Sequence, residues 1–291
     1  MVLILNFGTF GSCGDSGNRC LYPVTCSLLL CYPSRMTVSV CIITLNEEAN
    51  IGRTLESVKD FADEIIVVDS GSKDNTVSIA QSFGAKVFVE SWKGFASQKN
   101  SALAKAGCEW ILSLDADEEV SAELAKSIKA VRQSGSSEFD AYTMNRRNMY
   151  MGRWIRHAGY YPDPKMRLVK RELAEFELRA VHEDMKKLPR TGHLDGDLIH
   201  HAYPTLESFI EHANRYSSLG AGMVVAERNV GFSLINIVLR PLVRFLYMYF
   251  FRLGFLDGRE GLLVLMTHAS YVSWKYAKAW EATKNPTADL R

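Results

Sequence analysis

The 291-residue sequence lacks an excess of charge of either sign: 34 Lys and Arg residues stand against 33 Asp and Glu residues, for a formal net charge of +1. A chain of this charge gives no reason to expect nucleic acid as a partner. The G-x-G-x-x-G spacing of a dinucleotide-binding loop is also absent, since neither Gly8-Gly11-Gly14 nor Gly220-Gly222 meets it. These absences argue against a nucleic-acid-binding protein and a dehydrogenase.

The six cysteines indicate neither a zinc site nor a disulfide framework, because their spacing fits no such pattern. Residues 1–35 differ in composition from the rest of the chain and hold four of the six, Cys13, Cys20, Cys26 and Cys31. A secretory signal would place positive charge before its apolar stretch, whereas Arg19 is the first basic residue. We therefore expect residues 1–35 to be a translation-start artefact or a disordered extension.

From Val38 onward, short apolar runs alternate with helical patterns. The apolar runs are Val38–Ile43, Glu64–Val68, Ala85–Val89 and Trp110–Leu114. Apolar residues at helical spacing follow from Ile51 and from Val77, and further helices are expected over 94–106 and from Ser121. This alternation predicts an α/β fold, in which helices cover both faces of a parallel sheet. Such sheets bind ligands at the carboxyl ends of their strands.

The strand predicted at 110–114 ends in Asp115-Ala116-Asp117, which places two carboxylates one residue apart. Carboxylate oxygens in this arrangement suit Mg²⁺ or Mn²⁺, hard divalent cations that carry substrate phosphates. The same residues could instead form a solvated turn before the helix from Ser121. We expect Glu118 and Glu119 to be first-turn residues of that helix rather than metal ligands.

The polar loops carry four motifs in order: T-L-N-E-E at 44–48, I-I-V-V-D-S-G-S-K-D-N-T at 65–76, G-F-A-S-Q-K-N-S-A-L at 94–103 and L-D-A-D-E at 114–118. Together they resemble the family 2 glycosyltransferases of GT-A fold. The later pieces A-V-H-E, I-H-H-A-Y, N-R-Y and G-F-L-D-G are similar to a bacterial subgroup that includes lipopolysaccharide inner-core β-glucosyltransferases. The resemblance implies a mixed, mainly parallel Rossmann-like catalytic domain at 36–205. From its own residue pattern, the rest of the chain, 206–291, is expected to be an amphipathic helical region that associates with membranes or with another subunit.

The resemblance also implies a nucleotide-sugar site at the strand ends. Its positions in this chain are Leu45, Asn46, Glu47, Asp69, Ser70, Lys99, Asp115 and Ala116. Asp69 matches the aspartate that accepts the N–H of a uracil, although it could also cap the turn at 70–72. Asp115 would lie near the ribose. Lys99 would be either a basic residue near the nucleotide or an ordinary solvated lysine.

The resemblance further implies a metal ion, Mg²⁺ or Mn²⁺, and a general base. Asp117 would bind the metal. His200 would either complete the metal shell, donate a hydrogen bond to the leaving phosphate, or have a purely structural role. Such an ion stabilises the departing diphosphate and needs only one or two protein carboxylates. Glu183 is the first candidate for the base that deprotonates the acceptor, and Asp184 is the second. An acceptor that carries phosphates would suit the arginines of the middle segment, Arg146, Arg147, Arg167 and Arg171.

A very apolar stretch at 231–255 is long enough to span a bilayer. Spanning would bury one or more of Arg240, Arg244 and Arg252, at about 2.5–3.5 kcal/mol each near the bilayer centre. A helix that lies in the membrane surface, with the three arginines in one cationic stripe, costs far less. The alternatives are a helix packed on the catalytic domain and pairing with a second subunit.

We therefore predict an inverting, metal-dependent glycosyltransferase that moves a hexose, first of all glucose, from a UDP-sugar to a membrane glycolipid. Lipopolysaccharide core is the first choice of acceptor, and a polyprenyl phosphate is its nearest rival. From another class, a non-catalytic membrane scaffold would keep the C-terminal helices, including one at 269–280, without needing the acidic residues. The protein is expected to be peripheral at the cytoplasmic face of the inner membrane, with homo-oligomerisation left open.

Overall fold

Four parallel strands form the N-terminal half of the sheet, as the alternating pattern predicts. The computed structural model describes residues 35–135, 137–178, 184–227 and 231–284. Its first strands are β1 (Val38–Thr44), β2 (Glu64–Asp69), β3 (Lys86–Val89) and β4 (Trp110–Asp115). They lie side by side in the order β3, β2, β1, β4. All seven residues of β1 are buried, as expected for a strand covered on both faces.

Helices follow these strands and pack on the sheet: α1 (Ile51–Val58), α2 (Thr76–Ser82), α3 (Phe95–Leu103) and α4 (Ala122–Ser134). The apolar residues of α1 share one face and are fully buried, namely Ile51, Leu55 and Val58. The Ser121 hydroxyl caps α4 by accepting the Leu124 N–H at 3.3 Å. The same helix ends at Gly135, whose φ of 68° is left-handed.

The C-terminal half of the sheet is largely antiparallel, and local sequence patterns do not predict its strands. They are β5 (Glu118–Val120), β6 (Ala141–Tyr150), β7 (Arg153–Trp154), β8 (Pro164–Lys170) and β9 (Thr191–Tyr203). From β4 the sheet continues in the order β8, β6, β9, β5, and β7 pairs with β6. In this half β6 and β9 run parallel, and the other described pairs are antiparallel. The mixed sheet flanked by helices confirms the predicted α/β fold class.

Glu118 and Glu119 lie in β5, so the prediction that they belong to the first turn of a helix is wrong. β5 pairs with β9 and places Glu118 opposite His200. The Glu118 carboxylate is fully buried and accepts a hydrogen bond from Arg167 Nη2 at 2.6 Å. A buried carboxylate requires such a partner, and this partner comes from β8, distant in sequence.

The C-terminal region is helical and contains α5 (Leu206–Glu227), α6 (Arg240–Leu246) and α7 (Gly258–Lys284). Two π-helical turns, Ile235–Leu239 and Tyr247–Phe251, flank α6, and the 3₁₀ turn Gly254–Asp257 leads into α7. Both α5 and α6 pack against α7. Among the residues described, no helix combines the length and the hydrophobicity that crossing a membrane would require.

Arg240, Arg244 and Arg252 do not form the single stripe that the sequence predicts. Arg240 and Arg244 face α7, where they donate to the Tyr276 hydroxyl at 2.5 Å and to His268 Nε2 at 3.1 Å. Arg252 lies instead beside Gly159: a Cβ at this glycine would lie 3.1 Å from Arg252 Nη2. The π-helical turn between Arg244 and Arg252 changes the angular spacing of an ideal α-helix, which separates the side chains.

Candidate active site

The carboxyl ends of β1, β2 and β4 bring the predicted polar residues to one edge of the sheet. The register places Thr44 beside Asp69 and Ile43 beside Asp115. The loops after β1 and β2 are joined by hydrogen bonds. Asn46 Oδ1 accepts the Lys73 N–H at 2.8 Å, and the Asn46 N–H donates to Ser72 Oγ at 2.8 Å.

Asp69 caps the turn that follows β2. Its side chain is 1% exposed, and Oδ2 accepts the N–H groups of Gly71 and Ser72, both at 2.8 Å. Oδ1 accepts the Ser72 hydroxyl at 2.5 Å. Asp69 therefore caps the turn, as the second of the two sequence-based expectations stated. Its role in binding uracil stays a prediction. The adjacent Ser70 donates its N–H to the Thr44 carbonyl at 2.9 Å.

Leu45 and Glu47 occupy the loop after β1 in different environments. Leu45 is 47% exposed, so its side chain is available to a ligand. Burial raises the pKa of the Glu47 carboxyl, a hydrogen bond from Asn50 opposes this, and the nearby carboxylate of Asp117 raises the pKa again. Glu47 is therefore close enough to Asp117 and Asp115 for the charges of these carboxylates to affect it.

Asp115 lies between two buried cations. Lys99 Nζ is 2.7 Å from Asp115 Oδ1, and Arg167 Nη2 donates to Asp115 Oδ2 at 2.9 Å. Burial alone would raise the pKa of the Asp115 carboxyl, but Lys99 and Arg167 together hold that pKa far below its usual value. Lys99 is only 5% exposed, so the alternative of an ordinary solvated lysine is wrong. Ala116 is also buried, and its carbonyl accepts the Thr54 hydroxyl at 2.7 Å.

Three arginines of the middle segment, Arg146, Arg147 and Arg167, are engaged by acidic residues of the same domain. Arg167 joins Asp115 to Glu118, and Arg146 pairs with Asp163 at 2.9 Å. Arg147 Nε donates to Asp197 Oδ2 at 2.5 Å. These pairings set the shape and charge of the site, and they do not support the expectation that these arginines are a free phosphate-binding surface.

Asp117 and His200 form the part of the site best suited to a metal ion. His200 Nε2 lies 3.2 Å from Asp117 Oδ2. Two neighbouring ligands of an octahedral ion, each at about 2.1 Å, are themselves about 3.0 Å apart. The neighbouring His201 contacts Glu119 Oε2 instead, at 3.0 Å. The structure thus brings together the two residues predicted to hold the metal.

Asn148 and Asp163, which sequence reasoning missed, determine which nitrogen of His200 faces Asp117. Asn148 Nδ2 donates to Asp163 Oδ2 at 3.3 Å, so Asn148 Oδ1 is free to accept from His200 Nδ1 at 2.8 Å. The proton on Nδ1 leaves a lone pair on Nε2 directed at the Asp117 carboxylate. Two acceptors this close require either a second proton or a cation between them.

This donor set fits a divalent ion that is shared with a substrate. The described residues contain no group of three or more His, Cys, Asp or Glu that could hold a metal without further ligands. Mg²⁺ and Mn²⁺ in phosphate sites keep several waters and use one or two protein groups together with substrate oxygens. Asp117 and His200 would supply those protein groups.

The candidate bases lie in the segment that follows the 3₁₀ turn Arg171–Leu173. Glu183 falls outside the described residues. Asp184 is exposed, and its carbonyl accepts the Glu177 N–H at 3.1 Å beside the Phe176–Met185 bridge. No described contact links the Asp184 side chain to Asp117, so the choice between the two acids stays open.

Known proteins that resemble this chain identify its class. The family model "Glycosyl transferase family 2" matches residues 39–176. An uncharacterized glycosyltransferase of Rickettsia typhi is 33% identical over 236 residues, which cover 78% of this chain and 80% of that protein. The lipopolysaccharide core biosynthesis glycosyltransferase LpsC of Rhizobium meliloti is 30% identical over 259 residues, with 85% and 93% covered.

Among solved structures, residues 1–349 of S. aureus TarS in complex with UDP share 18% identity with this chain. The match covers 87% of this chain and 92% of that one, with a TM-score of 0.44. The sequence relatives and the family model establish the class: the chain belongs to the family 2 glycosyltransferases. It is therefore an enzyme that transfers a sugar.

Proposed function

We propose that the protein transfers a hexose from a UDP-sugar to a lipid-linked acceptor, with inversion at the anomeric carbon. Glucose is the first choice of hexose. The observation that carries this proposal is the pair formed by Asp117 and His200, 3.2 Å apart, beside the charge-paired Asp115. The pair would hold Mg²⁺ or Mn²⁺, which supplies positive charge to the departing diphosphate.

The chain's own residues would bind and orient the donor. The loops after β1 and β2, joined through Asn46 and Ser72, would enclose the base near Asp69. Asp115 stays ionised because of Lys99 and Arg167, so that it can accept hydrogen bonds from ribose hydroxyls. Asn148 keeps the His200 imidazole in one tautomer, which preserves the geometry of the metal site.

Inversion requires a base on the face of the sugar opposite the diphosphate. Glu183 is the first candidate for this role, and Asp184 is the second. Either carboxylate would take the proton of the acceptor hydroxyl as that oxygen attacks the anomeric carbon, with the nucleoside diphosphate leaving. Phe176, which precedes both acids in the chain, contacts α3: its N–H donates to Asn100 Oδ1 at 2.8 Å, and Lys99 Nζ lies 5.2 Å from the centroid of its ring.

Two observations favour a lipid-linked acceptor at a membrane surface. The relative from Rhizobium meliloti is named for lipopolysaccharide core biosynthesis, which supports an acceptor of that class. The C-terminal region also exposes large apolar side chains, among them Phe232, Leu234, Ile235, Val238, Leu242, Val243, Phe250 and Phe251. Large apolar side chains exposed in this number are typical of membrane or protein contacts. We therefore place the enzyme peripherally at the cytoplasmic face of the inner membrane.

Release of UDP from UDP-sugars, measured with purified core glycolipid and Mn²⁺, tests the proposal directly. We expect UDP-glucose with glycolipid to give the fastest release, and EDTA or Asp117→Asn to reduce it by at least about 10²-fold. Asp195→Asn, which removes an exposed acid on β9, is the matched control. Full activity of Asp117→Asn or in EDTA would remove the metal from the mechanism. Faster transfer to a polyprenyl phosphate would make that lipid the acceptor, and no transfer to either would overturn the proposed lipid-linked acceptor.

A further inference from the structure

A groove of about 670 Å³ lies between the helical segment 235–247 and α7. Its size is within the range of about 300–1,000 Å³ that is typical of ligand-binding clefts. The apolar part of its lining consists of Ile235, Leu239, Val243 and Val272. The groove shares no lining residue with the candidate active site, so it is a separate feature of the molecule.

Three basic side chains line the groove, and none of its lining residues is acidic. They are Arg240, Arg244 and Lys275. Their described partners are neutral: Arg240 donates to the Tyr276 hydroxyl, and Arg244 donates to His268 Nε2. The Lys275 ammonium lies 5.0 Å from the centroid of the Tyr276 ring. The groove therefore concentrates positive charge without a carboxylate in its lining to balance it.

Neighbouring residues hold these cations in place. A Cβ at Gly220 would lie 2.8 Å from Lys275 Cδ, so the glycine leaves room for the lysine stem against α5. Burial, followed by the charges of Arg244 and Lys275, lowers the pKa of His268 to about 4. His268 is thus neutral at neutral pH and can accept the hydrogen bond from Arg244.

The ligand that suits this groove must carry both an anion and a hydrocarbon chain. Inorganic phosphate would pair with the cations and leave the apolar lining in contact with water. A purely apolar ligand would bury the three cations without a counter-charge, which is costly. Next to the groove, the exposed side chains of Leu234, Val238, Leu242 and Leu246 extend the apolar surface outward. A lipid anchored in a bilayer would meet both surfaces at once.

We propose that this groove binds one anionic phospholipid, with its phosphate against Arg240, Arg244 and Lys275 and an acyl chain along Leu239 and Val243. The proposal rests on the proposed membrane association but is independent of the sugar and of the acceptor. Bound in this way, a bilayer lipid would fix the orientation of the C-terminal helices at the membrane surface.

Calorimetric titration of the full chain with dihexanoyl-phosphatidylglycerol, below its micelle concentration, tests the groove without a bilayer. We expect saturable binding at one site. The triple variant Arg240→Gln, Arg244→Gln, Lys275→Gln should weaken it by at least about tenfold, because three charge-assisted contacts are lost. The single variant Lys275→Gln should weaken lipid binding by a smaller factor. This single variant provides the test if the triple variant does not fold. UDP binding is measured on every variant, so a failed groove is distinguished from a failed glycosyltransferase site.

A triple variant with the same loss of charge outside the groove is the matched control: Arg252→Gln, Arg259→Gln, Lys284→Gln. Its affinity should stay within about twofold of the wild type, since these cations do not line the groove. Equal weakening in both triple variants would overturn the proposal, because it would mean that the lipid is attracted by the overall positive charge and not by the groove. It would also be overturned by the absence of saturable binding, or by displacement of the lipid with an equal concentration of inorganic phosphate. A dimer that the groove variant alone dissociates, without lipid binding, would assign the groove to a second copy.

Discussion

Asp257 holds both the main chain and the side chain of His157. Its Oδ2 accepts the His157 N–H at 2.8 Å, and its Oδ1 lies 2.9 Å from His157 Nδ1. Both carboxylate oxygens also accept the Arg156 N–H, each at 3.2 Å. The G-F-L-D-G motif thereby ties the start of α7 to the loop after β7. That loop continues to Asp163, which orients Asn148 at the candidate metal site.

Asp257→Ala should lower the free energy of unfolding by about 2–4 kcal/mol. Asp257 is 3% exposed, and its removal leaves the partly buried donors of Arg156 and His157 without their acceptor. Denaturation in urea measures the change. The control is Glu260→Ala, which removes a more exposed acid 3.7 Å from Arg153 and should cost less than about 0.5 kcal/mol. Equal losses in the two variants would mean that Asp257 does not tie the two segments together.

Asn148→Ala should weaken the binding of Mn²⁺ in the presence of UDP by about 10–100-fold, because His200 loses the acceptor that fixes its tautomer. The rate at saturating Mn²⁺ should fall much less, since Asn148 acts through His200. Electron paramagnetic resonance of free Mn²⁺ gives the affinity, and a Mn²⁺ titration of UDP release gives the rate. Asn236→Ala, in the C-terminal helices, is the control and should leave both unchanged. An unaltered Mn²⁺ affinity in Asn148→Ala would exclude His200 as a ligand oriented in this way.

The first four strands could be predicted to within about two residues, because each is a local apolar run. Trp110–Leu114 in the sequence becomes β4, Trp110–Asp115, in the structure. β6 escapes prediction because polar residues at 145–148 interrupt its apolar pattern. Those polar residues are the ones that pair across the sheet: Asn148 lies opposite His200 in the register of β6 and β9. Pairing between strands so distant in sequence leaves no local periodicity.

The acidic residues of the candidate site could be predicted because they lie at the ends of strands or directly after them. The environment of each acid could not, since it depends on partners remote in sequence. Arg167 reaches Asp115 and Glu118 from β8, and this contact converts an expected helix residue, Glu118, into a buried ion-pair partner. In the same way, the paired state of Lys99 follows from the packing of α3 on the sheet, which gives no signal in the sequence.

Glu183→Gln should lower turnover by on the order of 10²-fold or more with little change in affinity for UDP-sugar, because a base acts on the acceptor rather than on the donor. Asp184→Asn is the matched comparison, since it neutralises the adjacent acid with the same loss of charge. Turnover and donor affinity are measured separately under saturating acceptor. If Asp184→Asn shows the loss and Glu183→Gln does not, the base is Asp184. A product with retained anomeric configuration would exclude a single displacement with either base.

The stability of the C-terminal helices should fall as the pH drops from 6.5 towards 4, through His268. Burial, followed by Arg244 and Lys275, lowers the pKa of this imidazole from 6.5 to about 4 in the folded chain. Between these values the unfolded chain binds a proton that the folded chain does not, so the contribution of neutral His268 is present above pH 6.5 and is lost on acidification. The total loss should be on the order of 1 kcal/mol, because solvent reaches part of the ring and screens the effect.

Thermal or urea denaturation of wild type and His268→Gln between pH 7 and pH 4.5 measures this contribution. Glutamine can still accept the hydrogen bond from Arg244 Nε but does not titrate in this range. The stability of the wild type relative to the variant should therefore decrease steadily as the pH falls. His193→Gln, which removes an exposed imidazole on β9, is the control and should follow the wild type. Parallel curves for wild type and His268→Gln would show that His268 is protonated to the same extent in the folded and unfolded chain.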